Sequence, residues 1–464
     1  MKIMLLQPPS GSPISDQVFL HEPLALEYLG AGLKMDGHEV CLHDVRLDPD
    51  FETVLDEFAP ALVGLTGYTN QVPVICAIAD RIKALDPGIR VVVGGHHATV
   101  RPPDFNRPSI DAIVIGEGVV ALREIAAHAG IPSQLGAIPG LALPGAELRF
   151  TAPRPYTLLD ELPAPDRSLT VRYRRQYFSE WLKPLASIRT SLGCTARCSF
   201  CALWEITGGK YLRRSPERVV EELGAIEEKN VFFCDDESMC DVQRMDRLAD
   251  LIAAVGLRKN YFLYARGDTI AQNPGLFAKW RDIGLVQVFV GMESFSQERL
   301  DGMDKRLSLE QQERAAKILE ELGVTLYASF MVDPDFAPAD FDSLKAYVRR
   351  LNVRHASFSI LTPLPGTRLF KEREASMFPY QPRLFDFLHT TLPTRLPLRE
   401  FYARFAGLIT GAMPLHRSLR VLAMYDLGRI PGVLRSMSRV VDLIRNHHSD
   451  HRDEKWTGAL EDEG

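Results

Sequence analysis

Three cysteines constrain this chain more than any other feature. Ser191 to Trp204 reads Ser-Leu-Gly-Cys-Thr-Ala-Arg-Cys-Ser-Phe-Cys-Ala-Leu-Trp, which sets Cys194, Cys198 and Cys201 in a C-x3-C-x2-C spacing with Phe200 before the third. Thiolates this close in sequence can converge on one metal centre. A closed structural zinc site wants four ligands. A four-iron cluster on three cysteines keeps one iron open to a small molecule. Taken alone, the residues leave two other readings: three buried thiols, or a zinc site completed by a distant His. With seven cysteines in 464 residues, three of them clustered, the chain does not read as a disulfide framework. It fits a reducing cytosol and a metal site.

The triplet with its aromatic resembles the signature of the radical S-adenosylmethionine (SAM) superfamily. That resemblance implies a [4Fe-4S] cluster on Cys194, Cys198 and Cys201, with SAM on the open iron. The segment around it agrees. From about 187 to 395, six short apolar runs alternate with helical ones: Ala186–Thr190, Asn230–Phe233, Tyr261–Ala265, Gln287–Val290, Thr325–Met331 and His355–Ile360. This predicts a partial (β/α)6 barrel of TIM type, whose sites lie at the carboxyl ends of strands. The triplet follows the first strand. SAM carries an ammonium, a carboxylate, ribose hydroxyls and adenine, and needs carboxylates, cations and amides to hold them. Polar residues recur at the right ends: Asp235 and Asp236 after the second strand, Arg266 after the third, Glu293 and Ser294 after the fourth, and Pro365 in the Thr362–Thr367 loop after the sixth. The resemblance implies that these, with Phe200, bind SAM.

Residues 1–145 alternate buried strands (Lys2–Leu6, Glu39–His43, Ala61–Leu65, Arg90–Val93, Ala112–Ile115) with helical runs such as Pro23–Lys34 and Val72–Leu85. The expected fold class is therefore α/β throughout: an N-terminal doubly wound, Rossmann-like parallel sheet, then the barrel, then helices. Ligands of such sheets sit beyond the carboxyl ends of the strands. No G-x-G-x-x-G follows the first strand, which weighs against a dinucleotide. With the triplet, the domain resembles the cobalamin-binding domain of cobalamin-dependent radical SAM enzymes. The matching loops are Gly94-Gly95-His96-His97-Ala98-Thr99 and Gly116-Glu117-Gly118. The resemblance implies cobalamin contacts from Ser10, Thr66, Tyr68, Thr69, Gly94, Gly95, His96, Gly116, Glu117 and Gly118. The D-x-H-x-x-G motif is absent, so no His is expected under the cobalt. His43, His96 and His97 are expected in structural or tail-binding roles.

Between the domains, 146–186 is punctuated by Pro153, Pro155, Pro163 and Pro165 and reads as an ordered linker. Its Tyr173, Tyr177, Phe178 and Trp181, with Arg172, Arg174 and Arg175, suit a pocket roof or a strap across the barrel. After 396, Pro397–Thr410 is an amphipathic helix. Leu419–Arg445 is apolar and basic, broken near Gly428 and Pro431. Such a segment suits peripheral contact with an anionic membrane or a cap on the barrel. From Asn446 on, the charged tail is expected to be disordered.

The class implies methyl transfer from methylcobalamin to an unactivated carbon after SAM yields a 5′-deoxyadenosyl radical, with an electron donor of flavodoxin or ferredoxin type. Pro165–Thr190, Ala202–Tyr211 and Phe385–Pro397 look most like the hopanoid C-3 methylase group, which implies a lipid substrate. Two alternatives remain: a cyclase or methylase acting on a tetrapyrrole or another small-molecule natural product, and a non-catalytic cluster and cobalamin sensor. A net charge of −6 supplies no basic field for nucleic acid. No apolar run approaches the roughly 20 residues that span a bilayer. The expected location is cytoplasmic, with membrane association through the C-terminal helices.

Overall fold

The computed structural model describes residues 1–12, 15–128, 132–353, 355–412 and 430–451, with the single positions 419, 422, 423 and 428. The first sheet holds β1 (Lys2–Gln7), β2 (Glu39–Asp44), β3 (Leu62–Thr66), β4 (Arg90–Gly94), β5 (Ala112–Val114), β6 (Leu141–Leu143) and β7 (Arg149–Phe150). Their order is β2-β1-β3-β4-β5-β6-β7, parallel through β5 and antiparallel beyond. Alternate residues feed two buried layers. Met4, Leu6, Val63, Leu65, Val91 and Val93 face one side, and Ile3, Leu5, Leu42, Leu62 and Val92 the other. Helices cover both faces, which is why these strands read as unbroken apolar runs. The strand order reverses between β1 and β3, so a crevice opens there beyond their carboxyl ends. The β6–β7 hairpin was not foreseen, and it carries the sheet past position 145.

The second sheet holds β8 (Leu185–Ile188), β9 (Asn230–Phe233), β10 (Asn260–Tyr264), β11 (Leu285–Glu293), β12 (Thr325–Val332) and β13 (His355–Ile360), all parallel and in chain order. These are the six expected strands, shifted by up to three residues at their ends. Outward residues such as Ile188, Phe233, Leu263, Val290 and Phe330 pack under the helices. Inward ones are mainly aromatic: Phe232, Phe262, Tyr264, Phe289 and Tyr327, with Leu182 and Leu185 at the base.

The aromatic-basic stretch of the linker is a strap, not a pocket roof. Arg174 donates to Glu22 at 2.7 Å and to Glu228 at 2.5 Å, and Arg167 donates to Glu222 at 2.7 Å. The buried Tyr177 hydroxyl reaches Asp44 at 3.2 Å. The strap therefore ties the segment entering helix Leu24–Met35 and the end of β2 in the sheet domain to helix Pro216–Ala225 and the turn before β9 in the barrel. Glu27 belongs to this buried network, and one of its oxygens has no hydrogen-bond partner. Burial, then the neighbouring Glu22, pushes its carboxyl up to about 8. The unfolded chain releases that proton near the ordinary value of about 4.3. Between the two values the folded state binds more protons, so stability falls as pH rises. Glu27→Gln should flatten the dependence of Tm on pH between 5 and 8 and be relatively more stable at pH 8. An unchanged slope in thermal melts would count against this.

Helix Leu398–Gly411 inserts Phe401, Tyr402, Phe405 and Leu408 into the barrel core. Helix Ile430–Asn446 packs on it through Val441 and Ile444, with Pro431 in its first turn. The tail thus caps the barrel. Most of the basic stretch before Ile430 lies outside the described residues. The expectation of disorder from Asn446 needs correction. His447–His451 forms a 3-10 turn, with His447 and His451 buried, because these imidazoles and Asp450 meet partners on the barrel. The expectation for 452–464 lies outside the described residues. Among the described residues no helix is long and apolar enough to cross a membrane.

Candidate active site

The cysteine loop leaves β8 through a short hairpin, Ser191–Leu192 paired with Leu212–Arg213. Gly193 has φ +94, and a Cβ there would lie 2.1 Å from the Lys210 carbonyl oxygen, so only glycine fits. Backbone bonds hold the loop. Ser199 N–H donates to Met303 O at 2.9 Å, Leu369 N–H to Ser199 O at 2.9 Å, and Cys201 N–H to Cys198 O at 3.2 Å. The three thiols are half-buried. Burial pushes Cys194 up to about 11 and Cys201 to about 12, so a cationic centre must displace their protons. Phe200 packs on Met303, Met331, Leu361 and Leu369, under the Thr362–Thr367 loop that carries the buried Pro365.

The strand-end polar groups converge on this loop, but not all face open space. The Asp235 carboxylate, 1% exposed, accepts from Thr190 N–H and Oγ1–H at 2.6 Å each and from Ser191 N–H at 2.8 Å. It braces the end of β8, and those bonds take up both oxygens. Asp236 accepts from Gly193 N–H at 2.7 Å and stays half-buried. Burial, opposed by that bond, pushes its carboxyl up to about 6. Arg266 forks onto Asp268 at 3.0 Å twice and donates to Lys305 O at 2.8 Å. Glu293 stands at a register shift in β11 with φ +63, and its carboxylate takes Lys305 Nζ at 2.6 Å. Such a bulge re-aims a side chain. Ser294 Oγ accepts from Ser296 N–H at 3.1 Å and serves the following turn.

Two residues here were not singled out beforehand. Glu237 is 2% exposed; one oxygen takes Arg266 N–H at 3.2 Å and the other has no partner. Burial pushes its carboxyl up to about 7. It adjoins Asp235 and Asp236, so the acidic run itself was the signal. Lys305 is buried and its Nζ lies 6.0 Å from the Phe200 ring centre. No local pattern announces it; it arrives through the fold. A buried carboxylate with an unpartnered oxygen, close to the Arg266 backbone and guanidinium, fits the ammonium of a zwitterionic ligand.

The sheet domain faces the same opening. Helix His96–Val100 touches helix Leu203–Thr207, and a Cβ on Gly366 would lie 3.1 Å from Val100. Gly95 has φ +97, and a Cβ there would meet Thr66 Oγ1 at 2.5 Å. Gly94 and Gly116 leave room at the adjoining strand ends. Ser10 caps the loop after β1, with Oγ–H on Ser12 O at 2.7 Å and its own carbonyl taking Asn70 at 2.9 Å. Thr69 pairs with His97 at 3.0 Å, and His97 with Asp104 at 2.8 Å. Glu117 accepts from Val119 and Val120 N–H at 2.5 and 3.0 Å, which starts the helix after Gly118. His43 is held by Asp48 O at 2.8 Å and Arg172 at 3.0 Å. These contacts make His43 and His97 structural. Tyr68 is 60% exposed and stacks on His96 at 4.8 Å. Its hydroxyl lies within electrostatic reach of Cys234 and Asp236 of the barrel. Glycines beside an exposed ring at a strand-order reversal make a cradle fit for a large flat ligand.

Comparison with known proteins agrees with this two-part site. A B12 binding domain model matches residues 17–126, and a Radical SAM superfamily model matches 188–374. The hopanoid C-3 methylase of Methylococcus capsulatus is 33% identical over 87% of this chain and 78% of its own length. The anaerobic magnesium-protoporphyrin IX monomethyl ester cyclase of Rubrivivax gelatinosus is 25% identical over 80% of this chain and 70% of its own. Among solved structures, the cobalamin-dependent SAM radical enzyme OxsB with aqua-cobalamin and SAM bound superposes with a TM-score of 0.73 at 16% identity, over 96% of this chain and 71% of that one. The methyltransferase TsrM from Kitasatospora setae superposes at 0.65 with 22% identity, over 81% of this chain and 76% of that one. A cobalamin cradle facing a three-cysteine barrel mouth, with a methylase relative spanning nearly the whole length, makes this chain a member of the cobalamin-dependent radical SAM methyltransferases, enzymes that use a [4Fe-4S] cluster, SAM and cobalamin.

Proposed function

We propose that the enzyme methylates an unactivated carbon of a hopanoid-type polycyclic lipid. The observation that carries this reading is the barrel lumen. Phe232, Phe262, Tyr264, Phe289 and Tyr327 form one stacked and edge-on series, with neighbouring centroids 4.6 to 5.8 Å apart. An apolar, aromatic barrel interior favours a rigid hydrocarbon skeleton. The hopanoid relative supports the same choice. At the base, Glu180 Oε1 pairs with His355 Nε2 at 2.7 Å, and the Tyr327 hydroxyl lies beside the same carboxylate. That carboxylate suits a terminal hydroxyl of the substrate.

In this reading Cys194, Cys198 and Cys201 hold the cluster. Phe200, Asp236, Glu237, Arg266, Glu293, Ser294 and Pro365 surround SAM, with Asp236 and Glu237 taking its ammonium. The loops at Ser10, Thr66–Thr69, Gly94–His96 and Gly116–Gly118 receive cobalamin. When bound, the cluster and SAM supply a hydrogen-abstracting radical and cobalamin a transferable methyl group. The chain's part is orientation and exclusion of water by the strap and the closed barrel base. A flavodoxin- or ferredoxin-type partner delivers the electrons. Leu434, Met437 and Leu443 point outward on the last long helix among Arg435, Arg439 and Arg445, a face suited to peripheral contact with the membrane that stores such lipids.

The test is reconstituted holoenzyme with reductant, SAM and a total lipid extract. A triterpenoid gaining one CH2 is expected. Methylation or cyclisation of a tetrapyrrole, with the lipids untouched, would overturn the assignment. Tyr264→Ala should raise KM for the lipid by about tenfold or more, as loss of an aromatic wall does. Its SAM cleavage without substrate should stay near the wild-type rate.

A further inference from the structure

Away from the barrel mouth, the described residues bring one ligand atom each from His389, His447 and Asp450 within 4.8 Å of one another. His389 belongs to the segment that precedes helix Leu398–Gly411. The other two belong to the C-terminal turn. The two imidazoles stack with centroids 3.8 Å apart.

Their hydrogen bonds decide which nitrogens are available. His389 Nδ1 lies 3.0 and 3.1 Å from the two Asp386 oxygens, and His447 Nδ1 lies 3.3 Å from Leu388 O. Ionised carboxylates and carbonyls only accept, so both Nδ1 atoms carry hydrogen; His447 keeps its lone pair on Nε2, while His389, held between two carboxylates, frees its Nε2 when a metal displaces the proton it shares with Asp450. An Nδ1–H held by a carboxylate or a carbonyl is the outer arrangement that orients metal-binding histidines. His389 Nε2 faces Asp450 Oδ2 at 3.0 Å. His451 is turned away, its Nε2 on the Tyr402 hydroxyl at 2.8 Å. Arg383 takes the Asp450 backbone carbonyl at 3.0 Å and leaves the Oδ2 contact with His389 in place. The Asp450 side chain is 41% exposed, so a fourth position opens to water.

We propose that His389, His447 and Asp450 form a binding site for a divalent transition metal, Zn2+ by preference. Two imidazole nitrogens and one carboxylate are a zinc-type donor set and too few oxygens for calcium or magnesium. The metal would staple the C-terminal turn to the 386–389 loop. In that loop the Phe387 carbonyl accepts from Ile360 N–H at 2.7 Å, at the end of β13. The proposal does not depend on the identity of the methylated substrate.

The experiment uses the anaerobic holoenzyme with iron and cobalamin counted, stripped with a mild chelator and reloaded with Zn2+ alone. One zinc per chain beyond the cluster iron is expected, with nitrogen and oxygen but no sulfur neighbours in zinc X-ray absorption. Zn2+ should raise the Tm of the wild type. His389→Gln and His447→Gln should lose both the zinc and the Tm gain while keeping iron and cobalamin. Sulfur neighbours, no stoichiometric zinc, or equal zinc in the variants would overturn the proposal and leave His389 as a protonated ion-pair partner of Asp386 and Asp450. Should the variants fail to fold, diethylpyrocarbonate labelling of the wild type decides: zinc must protect His389 and His447, and equal labelling with and without zinc refutes the site.

Discussion

Cys198→Ala is expected to leave a folded, cobalamin-binding protein that loads no four-iron cluster and forms no 5′-deoxyadenosine from SAM. The loop around Cys198 is held by main-chain bonds to Met303, Leu369 and Cys201, not by its thiol. The stability loss should therefore stay near 1 kcal/mol, the usual size for a single substitution. A three-cysteine cluster has no spare protein ligand, so removing one thiolate removes the centre and not merely its tuning. Cys234→Ala is the matched control. Its thiol lies beyond the next strand and donates to Ile188 O at 3.3 Å. It should retain iron and SAM cleavage. Iron content, the visible spectrum and the EPR signal of the reduced protein read the result. A four-iron spectrum surviving in Cys198→Ala would overturn the ligand assignment.

What could be read before the fold was seen follows from how local each signal is. The triplet and the six barrel strands were legible because cysteine spacing and short apolar runs are written within a few residues. The two buried layers of the first sheet made continuous apolar strands for the same reason. Three kinds of feature were not legible. Lys305 meets Glu293 across twelve positions through a bulge at Gly291–Glu293, which no periodicity announces. The strap's arginines pair with Glu22, Glu222 and Glu228, and those partners are far away in sequence. The tail from Asn446 reads as a solvated charged segment by composition. Its histidines become buried only because Tyr402, Leu388 and His389 stand where the turn lands. Asp235 shows the opposite limit. Its position beside Asp236 at a strand end was correctly read as acidic, but which carboxylate faces inward depends on the pleat.

Asp235 and Asp236 should therefore separate when each is changed. Asp235→Ala strands three donors, on Thr190 and Ser191, in a site with 1% exposure. Losing a buried acceptor of that kind, with its donors left unpaired, costs on the order of 3–5 kcal/mol. The same end of β8 is held from the other side by Arg244, which donates to Thr190 O at 2.9 Å and Arg214 O at 2.7 Å. Without Asp235 that guanidinium also loses the carboxylate that acts on it most strongly. Low Tm and low iron loading are expected even though no cluster ligand has changed. Asp236→Asn keeps an oxygen for Gly193 N–H and removes only the charge. Folding and iron should stay normal, while SAM binds about tenfold or more weakly, a loss of about 1.4 kcal/mol. The pH dependence carries the sign. With its carboxyl pushed up to about 6, Asp236 is ionised at pH 7.5 and largely neutral at pH 5, so wild-type SAM affinity should fall as the medium is acidified. The fall should be shallower in Asp236→Asn, with Glu237 accounting for what remains. Equilibrium SAM binding to the reconstituted, unreduced protein measures both slopes. Wild-type affinity in Asp236→Asn would remove Asp236 from the ammonium site and leave Glu237, with its unpartnered oxygen, as the carboxylate that holds it.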